Sequence, residues 1–174
     1  MRKLSENAAL EMLSRMRSEF TDIIRSEYEK NAEPCDTCET KGACCLDAHF
    51  VNVRITRLEA AAITRELRRL PVIERAAVRE RIVDAVERFG LDDTDETTDK
   101  TYACPLFEHG AGCLVHDTAK PLPCIAHACY ERKEDLPPEH LLSENECRVF
   151  ELSRRTYTSA SFPKPLPAAL KDLL

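Results

Sequence analysis

The sequence predicts a mainly α-helical fold: one small single domain over residues 1–174, with irregular cysteine-rich loops and at most a short strand or hairpin. Three observations carry this. Apolar residues recur at three-and-four spacing near the N-terminus and again between two groups of cysteines. The same stretches are dominated by Ala, Glu, Arg and Leu, which favour helix. Glycine is scarce, at four residues, and most of the nine cysteines fall in two segments that read as loops. At 174 residues, 43% apolar and 32% charged, the chain is long enough to bury a core without disulfides.

The elements follow in order. Residues 4–30 form an N-terminal helix, with Leu13, Met16, Phe20, Ile23 and Ile24 near one face, Ser5 as N-cap and Pro34 beyond its end. A cysteine loop occupies residues 35–49 and contains Gly42. Phe50 to Ile55 alternates, which predicts a short strand. Thr56 and Glu59 make a capping box that opens a helix to about Leu70. Pro71 interrupts it, and a second helix runs to about Phe89, with Val72, Ala76, Val78, Ile82, Val83 and Val86 on one side and Gly90 just past the end. Together these make a helical insert over 56–89.

Leu91 to Thr101 is an acidic loop without the central glycine and terminal glutamate of a calcium loop, so it reads as a solvated linker. A second cysteine region spans 102–130. The C-terminal helix and tail take up 143–174: Ser143 and Glu146 suggest another capping box, and the helix should end near Tyr157. Pro163, Pro165 and Pro167 imply an extended tail. Leu166, Ala169, Leu170, Leu173 and Leu174 then form a short amphipathic turn, read as a docking contact or a frayed end.

Composition narrows the function. The net charge is −6 with both signs interspersed, and Arg68-Arg69 and Arg154-Arg155 are the only tight basic pairs, so nucleic acid is not an expected partner. Apolar runs are too short for a membrane span, and membrane is not expected either. Met1-Arg2-Lys3 leads into Ser5, Glu6 and Asn7 rather than an apolar signal region, so the expectation is a cytoplasmic protein. Disulfides do not persist in that compartment, and a cysteine-dense chain there points to metal. A disulfide-stabilised secreted domain would need an export signal.

The expected metal ligands are Cys35, Cys38, Cys44, Cys45, Cys104, Cys113, Cys124 and Cys129. Cys35-x-x-Cys38 has the spacing of a metal knuckle, in which two thiolates on a tight turn converge on one ion. The adjacent Cys44 and Cys45 side chains should diverge, serving two metals or leaving one of the pair outside the site. Cysteine also packs as a small hydrophobe, but four in eleven residues of polar loop favour ligation. Core packing is the expectation for Cys147, beside Val149 and Phe150 on the last helix.

His116 and His127 are candidates for a mixed site but are less expected as ligands than the cysteines. His49 is weaker still, and His109 and His140 read as solvent-facing. A nucleophilic Cys124 activated by His116 or His127 is disfavoured, because nothing singles out one cysteine and ligation would consume the thiolate. No phosphate loop, dinucleotide fingerprint or hydrolase elbow is present.

Thiolates select zinc, copper(I) or iron–sulfur clusters over hard cations. Eight cysteines suffice for two four-coordinate sites or one cluster with spare ligands. The surplus and the Cys44-Cys45 pair tilt the balance by a small margin toward iron or an iron–sulfur cluster over zinc.

The run Cys35-x-x-Cys38…Cys44-Cys45, with Cys104-Pro105-Leu106-Phe107, Gly112-Cys113-Leu114-Val115 and Lys120-Pro121-Leu122-Pro123-Cys124, resembles the cysteine-cluster family of YkgJ type, named for a CxxCxxCC signature and described as a zinc- or iron-chelating domain. The resemblance spans roughly Cys35 to Tyr130. The Cys38–Cys44 gap is longer than the signature's, and His116 stands where the family commonly has tyrosine. Some members resemble flagellin lysine-methylating proteins thought to carry an iron–sulfur cluster. The resemblance therefore implies bound metal with a redox or protein-modifying role, and leaves open whether this chain is an enzyme. The rival expectation is a zinc-stabilised scaffold whose helices, such as Thr56 to Phe89, recognise a protein partner.

Overall fold

The structure, a computed structural model, describes residues 3–33, 39, 42–46, 51–92, 100–130, 132–157 and 162–174. The described residues are mainly helical, with seven α-helices and three two-stranded antiparallel pairs whose strands are two residues long. No described helix is long and apolar enough to cross a membrane. The chain divides into two compact units, Met1–Glu39 with Lys120–Ser161, and Thr40–Ala119 with Phe162–Leu174.

In the first unit, α1 (Glu6–Ile23) starts where the Ser5 side chain accepts from the Ala8 N–H, as its capping role requires. Ala9, Leu13, Arg17, Phe20 and Ile24 are buried. The helix then widens into a π-turn (Ile24–Tyr28) and tightens into a 3₁₀ turn (Glu29–Asn31). The Ser26 hydroxyl donates to the Asp22 carbonyl at 2.7 Å where the turn widens.

The strand β1 (Ala32–Glu33) pairs with β5 (Cys129–Tyr130), placing Glu33 opposite Cys129. A short helix, α5 (Leu122–Ala126), packs with α1 and with α6 (Glu139–Thr156). Arg17 donates through Nε to the Lys120 carbonyl at 3.0 Å, so its buried guanidinium holds the chain leading into α5.

Two expectations fail on α6. It begins at Glu139, straight after Pro138, whose φ of −58° needs no adjustment at a helix start. Ser143 is therefore inside the helix, and its hydroxyl donates to the His140 carbonyl instead of capping. Cys147 is exposed rather than packed in the core, because α6 buries Val149, Leu152, Ser153 and Thr156, a different face.

In the second unit, α2 (Ala43–Leu46) is a single turn. Of the predicted strand only β2 (Arg54–Ile55) forms; it pairs with β6 (Lys164–Pro165). Phe50 lies outside the described residues. The Thr56–Glu59 capping box is present with both of its bonds and opens α3 (Arg57–Leu67). After Pro71, α4 (Val72–Phe89) ends at Gly90, which takes φ +60°. The buried face of α4 is Val78, Ile82, Ala85 and Val86. Val72 and Ala76, expected on that face, are exposed, because the first turns of α4 extend past the core.

The tail is a docking contact. α7 (Leu166–Lys171) buries Leu166, Ala168, Ala169 and Leu170 against α3 and α4. Tyr102, with no exposed surface, fastens this tail: its hydroxyl donates to the Val53 carbonyl and accepts from the Leu166 N–H at 3.2 Å. A hairpin completes the unit, β3 (Phe107–Glu108) against β4 (Gly112–Cys113), with Phe107 opposite Cys113.

Candidate metal centre

The second unit holds four of the predicted ligands. Cys44 and Cys45 sit on α2, Cys104 opens the turn into β3, and Cys113 is on β4; all four are half-buried. Gly42 lets α2 reach the hairpin. It has φ +83°, and a Cβ there would lie 1.9 Å from Cζ of Phe107, so only hydrogen fits between the backbone and the ring. Its carbonyl accepts from the N–H groups of Cys45 and Leu46 at 2.9 Å and begins the turn that carries both cysteines. The Cys45 carbonyl in turn accepts from the Cys104 N–H at 2.7 Å. Two segments almost sixty residues apart are thus tied at their cysteines.

Cys104 and Cys113 pack against the edge of the core cluster. Burial pushes the Cys104 thiol up to about 11, the neighbouring Cys113 adds to the rise, and backbone hydrogen bonds from Leu106 and Phe107 pull the other way. The turn is closed by Phe107 N–H to the Cys104 carbonyl at 3.3 Å and by Leu114 N–H to the Leu106 carbonyl at 3.0 Å. Gly110 and Gly112, with φ +86° and +85°, provide the left-handed positions of the hairpin loop.

In the first unit Cys124 lies on α5 and Cys129 on β5, both half-buried. Cys35, Cys38 and His49 lie outside the described residues, as does most of the acidic loop, residues 93–99. His109, His116, His127 and His140 are exposed. The backbone of His116 donates to the Cys113 carbonyl at 3.1 Å and so helps fix the end of the hairpin. The seven described cysteines form no disulfide with one another. Among the described residues no three Cys, His, Asp or Glu side chains stand together as a ready ligand set.

Arg81 has no counterpart in the sequence reading. From α4 it donates through Nε to the Pro105 carbonyl at 3.1 Å, and its Nη2 stands 3.6 Å from the Glu108 carboxylate. In the sequence it is one arginine among many on this helix; only its place beside Ile82, at the border of the buried face, hinted at an inward reach. No family model, curated protein or solved structure matches this chain.

Proposed function

We propose that the protein uses clustered cysteine thiolates to hold iron, as an ion or an iron–sulfur cluster, or zinc, in the cytoplasm and in a redox or protein-modifying role. The ligands are drawn from Cys35, Cys38, Cys44, Cys45, Cys104, Cys113, Cys124 and Cys129. The observation that supports it is the environment of Cys104: a thiol enclosed at a tight turn, with two backbone N–H groups on its sulfur and a second cysteine beside it.

Those N–H donors favour a charged sulfur, whereas burial alone opposes one. A bound cation resolves the conflict, since it offsets the burial cost and keeps the donors in use. Half-buried thiols are soft donors and fit iron or zinc. A bound iron–sulfur cluster would supply one-electron chemistry; zinc would supply a fastening between α2 and the hairpin.

The test is metal and sulfide content with an absorption spectrum on untagged protein purified without air. Iron with sulfide and visible charge-transfer bands is the expected result. Metal-free protein whose thiols all titrate would sink the reading.

One observation favours a second reading, a zinc scaffold acting as a protein-interaction module. Val72 and Ile73 are 71% and 84% exposed at the start of α4, where a partner would meet apolar surface. Colourless protein with stoichiometric zinc, together with loss of partner binding in Ile73→Ser, would select this reading over the first.

A further inference from the structure

α4 opens on a pair of aliphatic side chains that no neighbour covers. Val72 and Ile73 are 71% and 84% exposed, and Ala76 and Ala77, one turn on, are exposed as well. Exposure that high marks a protrusion, since a groove or a flat face would shade part of each side chain. The pair is also rimmed by cations. Residues 68–80 hold four arginines and two glutamates, in a chain whose net charge is −6. Arg69 is neutralised by Glu66 at 2.7 Å. Arg68 and Arg75 donate to backbone carbonyls, those of Leu173 and Arg68, each at 3.3 Å, which leaves their charge uncompensated. Arg79 is exposed and has no ion pair among the described residues. Arg75 and Arg79 follow Val72 by three and seven positions and so share its side of the helix, whereas Glu74, two positions on, does not.

We propose that this tip docks the protein onto an anionic lipid surface: Val72 and Ile73 enter the boundary between headgroups and acyl chains, and Arg68, Arg75 and Arg79 meet the headgroup charges. Two aliphatic side chains alone would not select anionic lipid, and three arginines alone would stay outside the headgroups. Together they supply the two signals that peripheral attachment takes, one apolar and one electrostatic. A protein partner would have to offer a pocket to seat a protruding pair, while a bilayer boundary yields around it. The contact is with a surface, and no described helix is long and apolar enough to cross a membrane. It stands apart from the metal-binding reading, and it gives to lipid the two residues that the scaffold reading gives to a protein.

The experiment spins the full chain down with sucrose-loaded vesicles of phosphatidylcholine containing phosphatidylserine, and with vesicles of phosphatidylcholine alone, at low and high salt. The protein should sediment with the anionic vesicles only, and high salt should release it. Ile73→Ser should weaken the partition by about tenfold or more, the burial of an isoleucine side chain. Arg79→Gln should weaken it by about fivefold, the effect of one basic residue near a charged bilayer. Leu136→Ser, at an exposed apolar position outside the tip, should bind as wild type does. These positions are exposed, so the variants should fold, and their melting temperatures check this.

The chain has no tryptophan, so Ile73→Trp puts a lone reporter at the tip. Its emission should shift to the blue when anionic vesicles are added. Anionic vesicles left unbound, binding that Ile73→Ser does not weaken, or an unshifted emission would each overturn the assignment. Self-association of the full chain that Ile73→Ser abolishes, with vesicles left unbound, would give the tip to a protein contact instead.

Discussion

Replacing Gly42 by alanine tests how α2 is seated on the hairpin. The new Cβ would fall 1.9 Å from Cζ of Phe107 and 2.4 and 2.5 Å from the two adjacent ring carbons, so the ring or the turn must move by about 1.5 Å or more to reach ordinary contact. The Phe107 backbone is held by its pairing to Cys113 and by its N–H closing the Cys104 turn, so relief must come from rotation of the ring about its own side-chain bonds or from a shift of the Gly42 turn. Two costs add. A side chain at φ +83° costs about 1–2 kcal/mol, and overpacking against the Phe107 ring costs about 1–3 kcal/mol. The expected loss is therefore about 2–5 kcal/mol. Gly110 and Gly112 provide the control: φ is +86° and +85°, but an added Cβ meets no atom within 4 Å, so alanine there should cost only the first term. Urea denaturation of the three metal-free variants, with zinc stoichiometry of each, makes the comparison. If Gly42→Ala is no worse than Gly110→Ala, the contact with Phe107 does not hold α2 in place and the reasoning fails.

Three further outcomes are expected. The Cys104 thiol is raised by burial from an ordinary 9 to about 11, so both states are neutral below pH 9, and between 9 and 11 only the unfolded chain ionises. Stability of the metal-free protein should then fall with rising pH across that window, by up to about 3 kcal/mol. Cys104→Ala should flatten the fall, and an unchanged slope would count against an enclosed thiol. Tyr102→Phe removes a hydroxyl that bonds both the Val53 carbonyl and the Leu166 N–H, which still bond each other at 2.9 Å, so it should cost only about 0.5–1.5 kcal/mol by thermal denaturation; unaltered stability would show that the hydroxyl does not help fasten the tail. Cys147 should react with iodoacetamide in the native protein well before Cys104, as read by mass spectrometry, and Cys147→Ser should keep full metal content; loss of metal in that variant would add Cys147 to the ligands.

Local signals read well because each is a short-range bond. The Ser5 cap, the Thr56–Glu59 box, the interruption at Pro71 and the left-handed Gly90 all involve residues within four or five positions of one another. Ser143–Glu146 has the same spelling as a box and failed, since Pro138 had already fixed the backbone for a helix one turn earlier. Which face of a helix is buried depends on distant partners. That is why Val72 and Ala76 were assigned inward although the α4 core contacts begin only at Val78, and why Cys147 was assigned to the core of a helix that buries its neighbour Val149. The tail could be read as docked or frayed until Val53 and Tyr102, each more than sixty residues away, supplied partners for the Leu166 N–H.

The cysteines divide in the same manner. By sequence they form an early group, Cys35 to Cys45, and a late group, Cys104 to Cys129. The fold cuts across the late group: Cys44, Cys45, Cys104 and Cys113 belong to one compact unit, while Cys124 and Cys129 belong to the other. Spacing gives the number of thiols and the softness of the metal they would select. It does not give the pairing, because Cys45 and Cys104 are brought together by a backbone hydrogen bond between segments almost sixty residues apart, and Arg81 reaches the same turn from a third segment. Grouping by unit makes a different demand on mutagenesis than grouping by sequence. Loss of Cys113 should disturb the environment of Cys104, whose charge it already affects, more than that of Cys124, although the two stand at nearly equal distances from it along the chain. Thiol reactivity measured at those two positions in Cys113→Ser would separate a site organised by the fold from one organised by the order of the chain.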